Sequence, residues 1–184
     1  MSPQTPSKTL IKLIDLAIIP ATLLIFVKLV SIVLLNAVLN LSWDLSTLSN
    51  AFFGMKLSYA SPNDLILVIS YSDLFMHLAA LTGTILAMMK LFYLHPSHVK
   101  PSVVLHLAKK DRLHFIQSTF HLYHEAAIWG LFLVISDILI VFNYVQDLTY
   151  PWILGFVMVT TLSLLFILVR SIDRDLSYKN LKLK

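Results

Sequence analysis

The sequence predicts an all-α membrane protein: four transmembrane helices in a bundle, with the N- and C-termini cytoplasmic. Three observations carry that prediction. Hydrophobic residues make up 58% of the chain and charged residues only 13%, against about one quarter charged in an ordinary soluble domain. Four apolar stretches are long enough to cross a bilayer core, which takes about 20 helical residues. The basic residues cluster outside those stretches. Of the 14 Lys and Arg, all but Lys28 and Lys56 fall in the N-terminal lead, around the connection between the second and third spans, or in the C-terminal tail. By the positive-inside rule those three regions face the cytoplasm.

The elements follow in order. Met1 to Ser7 is a polar lead. The apolar stretch after it is too long for a signal-peptide core and has no small-x-small cleavage site, so it is expected to be retained. Pro20 is expected to divide a short interfacial turn over 8–19 from a first span at about 20–42, closed by Trp43 at the aromatic-belt level. Residues 44–60 are too short and too polar for a span and are expected to rest on the membrane surface. Ser61-Pro62-Asn63-Asp64 then supplies a hydroxyl N-cap, Pro at the first helical position and a carboxylate at the third, opening a span over 62–92. Residues 95–117 form the longest polar connection. Within it Val103, Val104, Leu107 and Leu113 share a face suited to lying along headgroups. The third span is expected at 115–145. Pro151-Trp152 opens the fourth, at 151–170. The whole chain, 1–184, reads as a single four-helix transmembrane domain.

Several chemistries are excluded by residues. The chain has no cysteine, which removes disulfides, thiolate ligands and cysteine nucleophiles. None of the four glycines opens a G-x-S-x-G elbow, a G-x-G-x-x-G turn or a P-loop. His121-Leu122-Tyr123-His124-Glu125 is neither H-E-x-x-H nor H-x-x-E-H. Glu125 is the single glutamate, too few for a carboxylate-bridged di-iron bundle. The reading leans away from an enzyme. The net charge of +4 reflects topology, and no nucleic-acid partner is expected.

Polar residues inside the spans are where function is expected, because ionisable groups in lipid are costly. On the second helix Ser70, Asp73, His77, Ala80, Thr84 and Ala87 recur three and four apart and form one small or polar stripe, which should face protein. On the third, with His121 as the reference direction, His114, Gln117, Ser118, His124 and Glu125 all lie within about 60°. Asp137 falls on roughly the opposite side and is the candidate assembly contact. The predicted site lies between the second and third helices: Asp73, His77, His121, His124 and Glu125 as ligand set or proton relay, with Lys28 as the candidate ion-pair partner of Asp73 or Glu125.

Three functions fit that set. His77, His121, His124 and Glu125 are candidate ligands for haem b or a divalent metal. The same groups suit passage of protons or cations, since histidine titrates near neutral pH. The third reading is a non-catalytic membrane subunit or anchor whose polar seam specifies helix packing, in a homo-oligomer or a larger membrane complex. His95, His98, His106 and His114 read as loop or interfacial residues.

Overall fold

The computed structural model describes residues 6–47, 55–94 and 119–181. Four long helices follow one another: α1 (Pro6–Val38), α2 (Pro62–Leu94), α3 (Thr119–Val145) and α4 (Pro151–Leu181). Between α1 and α2 lie two strands, β1 (Trp43–Thr47) and β2 (Met55–Tyr59). All four helices hold segments long and apolar enough to cross a membrane, at Ile14–Val38, Pro62–Phe92, Leu122–Val145 and Pro151–Arg170. The expected connection over 95–117, with its apolar face and its histidines, lies outside the described residues.

The second and fourth spans fall where the start signals put them. Ser61 Oγ accepts from the Asn63 N–H at 3.3 Å, and the Ser61 carbonyl accepts from the Asp64 N–H at 3.2 Å, so the cap satisfies N–H groups that a helix start leaves orphaned. The start of α4 is closed the same way, by the Tyr150 carbonyl on the Ile153 N–H at 3.0 Å.

Helix α1 corrects the expectation at Pro20. It runs unbroken from Pro6 to Val38 with Pro20 inside it. Proline withholds one N–H from the carbonyl four residues earlier, but neighbouring hydroxyls and packed helices tolerate that in apolar surroundings. Here Pro20 is fully buried against the neighbouring helices, and the carbonyl that loses its N–H is that of Leu16. The helix also ends earlier than expected. Asn40 takes a left-handed φ of 48°, the Leu41 N–H reaches back to the Asn36 carbonyl at 3.1 Å, and the chain turns into β1.

The hairpin was not expected. Strands β1 and β2 pair antiparallel with Trp43 opposite Tyr59, Leu45 opposite Leu57, Asp44 opposite Ser58 and Ser46 opposite Lys56. Both segments alternate apolar and polar residues with period two, the pattern of a strand. Asn36 Nδ2 donates to the Tyr59 hydroxyl at 3.0 Å, which ties the end of α1 to β2.

Helix α2 is the centre of the bundle and packs against α1, α3 and α4. One apolar cluster, Leu24, Met76, Ala80 and Leu133, joins α1, α2 and α3. Another, Ile140, Ile153 and Val157, joins α3 to α4. Tyr71 meets Tyr150 and Trp152 edge-on, with ring centroids 6.4 and 6.2 Å apart. The outward faces carry large apolar side chains such as Phe26, Phe142 and Phe166, far more exposed apolar surface than a soluble monomer carries.

Candidate functional site: the polar seam of the second helix

The stripe on α2 is buried throughout. Ser70, Asp73, His77 and Ala80 have no exposed surface, Thr84 is 1% exposed and Ala87 2%. The small side chains of Ser70, Ala80, Thr84 and Ala87 let the neighbouring helices approach closely. Buried polar groups on such a face need partners. The structure supplies them from all three neighbouring helices.

At the end of the bundle near the hairpin, Asp73 has both carboxylate oxygens engaged. Lys28 of α1 donates to Oδ1, and Asn143 of α3 donates through Nδ2 to Oδ2 at 2.6 Å. One turn earlier, Ser70 Oγ donates to the Leu148 carbonyl and accepts from the Tyr150 N–H, each at 3.2 Å. The α3–α4 connection is thereby fastened to α2. Its tight form comes from the end of α3: Leu148 N–H bonds the Asn143 carbonyl at 2.9 Å, and Asp147 N–H bonds the Tyr144 carbonyl at 3.0 Å. Asp147 sits at φ 58°, completing a Schellman closure.

One turn deeper stands His77, the middle residue of the Pro62–Phe92 segment. Its Nδ1 lies 3.0 Å from Asp137 Oδ1 and 3.3 Å from Ser136 Oγ, both on α3. Its Nε2 lies 3.1 Å from Thr160 Oγ1 on α4. A carboxylate can only accept, so Nδ1 carries a proton toward Asp137. Thr160 Oγ1 also lies 2.9 and 3.0 Å from the Val157 and Phe156 carbonyls. While the hydroxyl donates to either of them it accepts from Nε2–H, and the ring is an imidazolium. If it turns to donate to Nε2, the ring is neutral. The same heavy-atom positions satisfy both protonation states.

The third pair is Lys90 with Glu125, joining α2 to α3 at the opposite end of the spans. The Lys90 side chain is 46% exposed and that of Glu125 15%, so this pair meets the surface while the other two are interior.

These contacts rearrange the expected site. Lys28 stands with Asp73. His77 meets Asp137, and Glu125 meets Lys90, which is 13 residues and about 20 Å further along α2 than His77. Asp137, expected to face away as an assembly contact, is 6% exposed and points inward. The reason is the reference direction. Burial on α3 runs through Leu122, Ala126, Leu133 and Ile140, and from that face Asp137 is displaced by only about 40°. The His121 side chain lies outside the described residues, and His124 is half-buried. Sequence reasoning passed over Asn143, Ser136 and Thr160, uncharged groups of a kind common in helix interiors.

Of the candidate metal or haem ligands, His77 and Glu125 are held by different partners at different depths. Among the described residues no group of three His, Asp or Glu side chains could hold a metal ion. Both nitrogens of His77 already face protein oxygens. The Asp137–His77–Thr160 connectivity is also that of a hydrolase triad, but acyl transfer needs N–H donors aimed at an oxyanion, and Thr160 lies well inside α4, where helical N–H groups are committed to the backbone. What the arrangement can do chemically is hold or release a proton. Comparison with family models, with curated proteins and with solved structures gave no match.

Proposed function

We propose that this chain is a multi-pass membrane protein that takes up and releases a proton at His77, coupled to passage of protons or of a cation through the bundle. The observation that carries the reading is the hydrogen-bonding of His77: buried at mid-span, held on one nitrogen by Asp137 and on the other by a hydroxyl able to donate or accept. A histidine that serves only to lock helices needs one settled proton arrangement. This one has two.

The surroundings support access from one side. Asp73, Lys28 and Asn143 lie one turn from His77 toward the hairpin and the α3–α4 connection. Toward the termini the next turn is filled by Ala80 and Leu133, which pack with Leu24 and Met76. We read the structure as a closed state whose site communicates with the hairpin side. With four spans and most of the Lys and Arg gathered at their terminal ends and in the 95–117 connection, both termini are cytoplasmic and the hairpin is external. The membrane is of the inner or cytoplasmic type.

The test is flux in liposomes carrying an internal pH-sensitive dye, under an imposed potential. The expected result is dye acidification or alkalinisation above that of empty vesicles, lost in His77→Gln but kept in Glu125→Gln. Wild-type protein indistinguishable from empty vesicles would sink the proposal.

A second reading, a non-catalytic membrane subunit or anchor, is favoured by one observation: Asp73, Asp137 and Glu125 each already have a basic partner within the same chain. It predicts no flux and lowered stability on breaking any pair. Moles of iron, zinc, copper and manganese per chain in purified protein test the metal reading separately.

A further inference from the structure

A groove of about 510 Å³ lies between α1, α2 and α3, away from His77, and Leu16, Pro20, Gly83, Lys90, Glu125 and Trp129 are among its walls. That volume falls in the range of small-molecule sites, about 300–1,000 Å³. Its place in the bundle is informative. Lys90 is near the end of the Pro62–Phe92 segment, and Glu125 and Leu16 are near the starts of theirs, so the charged mouth lies at the edge of the hydrocarbon layer. Gly83, seven residues before Lys90, lies about 10 Å deeper. Ile19 and Met89 on the rim are exposed, so the groove opens sideways toward lipid and its occupant arrives from the bilayer.

From these features we infer that the groove binds a zwitterionic phospholipid whose head carries a phosphate and a primary amine, with an acyl chain lying along the apolar walls. The two charges at the mouth select it. An ammonium has three N–H bonds, and Lys90 gives one to Glu125 Oε1, leaving donors for a phosphate. A carboxylate accepts at two oxygens, so Glu125 can receive a head-group ammonium beside Lys90. A further acceptor stands at the same level: Pro20 has no N–H to give the Leu16 carbonyl one turn earlier, and both residues line the groove. An anionic lipid without an amine would match Lys90 but set its charge against Glu125. A choline head offers Glu125 no N–H.

The protein is reconstituted in vesicles of equal parts phosphatidylethanolamine, phosphatidylcholine and phosphatidylglycerol, then released for native mass spectrometry. The expected result is one lipid per chain surviving the activation that strips annular lipid, with the ethanolamine form favoured by about tenfold, as one added charge-assisted hydrogen bond would give. The double variant Lys90→Met/Glu125→Gln should lose the preference. It leaves no unpaired charge, so its fold is expected to survive. As a readout that needs neither change at the mouth, Trp129 is kept as the single tryptophan by Trp43→Phe and Trp152→Phe. Its fluorescence should be quenched more by a trace of brominated phosphatidylethanolamine than by the same amount of brominated phosphatidylcholine. No retained lipid, equal retention of all three, a preference unchanged in the double variant, or equal quenching would each overturn the inference.

Discussion

Breaking the Lys28–Asp73 pair from its two sides should give unequal losses. Asp73 is fully buried and the Lys28 side chain is 30% exposed. Lys28→Met leaves the carboxylate with Asn143 alone. One hydrogen bond to a charged group contributes about 1.5–3 kcal/mol, and stripping the partner from a buried charge costs about 3–5 kcal/mol. Hydrogen bonds between membrane helices average only about 0.6 kcal/mol by double-mutant cycles. Weighing these, a loss of about 2–3 kcal/mol is expected for Lys28→Met. Asp73→Asn keeps an oxygen for Asn143, and Lys28 can swing its ammonium along the α1 surface, so about 1 kcal/mol is expected. The double variant removes both charges and should cost about 1 kcal/mol, giving a coupling near 2 kcal/mol. Unfolding in mixed micelles by added SDS, followed by tryptophan fluorescence, measures all four proteins. If Asp73→Asn costs as much as Lys28→Met, or the coupling is below about 0.5 kcal/mol, burial of the carboxylate does not govern this pair.

Other substitutions test other joints. A Cβ on Gly83 would lie 2.1 Å from the Trp129 ring, so Gly83→Ala should lose about 1–3 kcal/mol in the same micelle titration, with Trp129→Leu restoring part of it; a neutral Gly83→Ala would mean the indole does not pack there. Ser70→Ala removes both bonds that fasten the α3–α4 connection and should cost about 1–3 kcal/mol, with faster hydrogen exchange at the Tyr150 amide. Asp147 holds φ 58°, so Asp147→Gly should raise stability by up to about 1 kcal/mol; a lowered melting temperature would show that the aspartate side chain matters more than its backbone strain.

Which parts of this were legible in the sequence depended on the kind of signal. The bounds of the α2 and α4 spans could be read because an apolar run coincides with Ser61-Pro62 in one case and Pro151 in the other. The hairpin was hidden because Trp43–Thr47 and Met55–Tyr59 are only five residues each, and their period-two alternation is easily lost between two strong helical signals. That Asp73, His77 and Lys28 belong to the interior was plain from charge in apolar surroundings. Their partners were not, because the polar face around His121 carries no mark of depth, whereas the apolar segment begins at Leu122 and puts Glu125 in its first turn. A register argument would have corrected it. In an antiparallel pair, steps along one helix are retraced on the other, so Lys90 with Glu125 at one end implies His77 near Asp137 and Asp73 near Asn143 at the other, as the structure has them.

The distribution of those pairs also singles out the helix whose attachment depends on a proton. Ion pairs fasten α1 to α2 and α2 to α3, whereas among the described residues of α4 the polar link to the α2 helix is the His77–Thr160 bond. A proton leaving Nε2 turns the charge-assisted bond to the Thr160 hydroxyl into a neutral one, about half as strong, so α4, which that bond holds to α2, is the element expected to loosen. The groups facing His77 are Asp137 and Ser136 from α3 and Thr160 from α4. The absence of native cysteine allows spin labels at Met89→Cys on α2 and Val169→Cys on α4, both exposed. The distance distribution between them should change with pH in the otherwise native protein. It should be fixed in Thr160→Val and in His77→Gln. A shift that persists in both would assign the movement to another titrating group, and a fixed distance in the native background would leave His77 without a moving helix to act on.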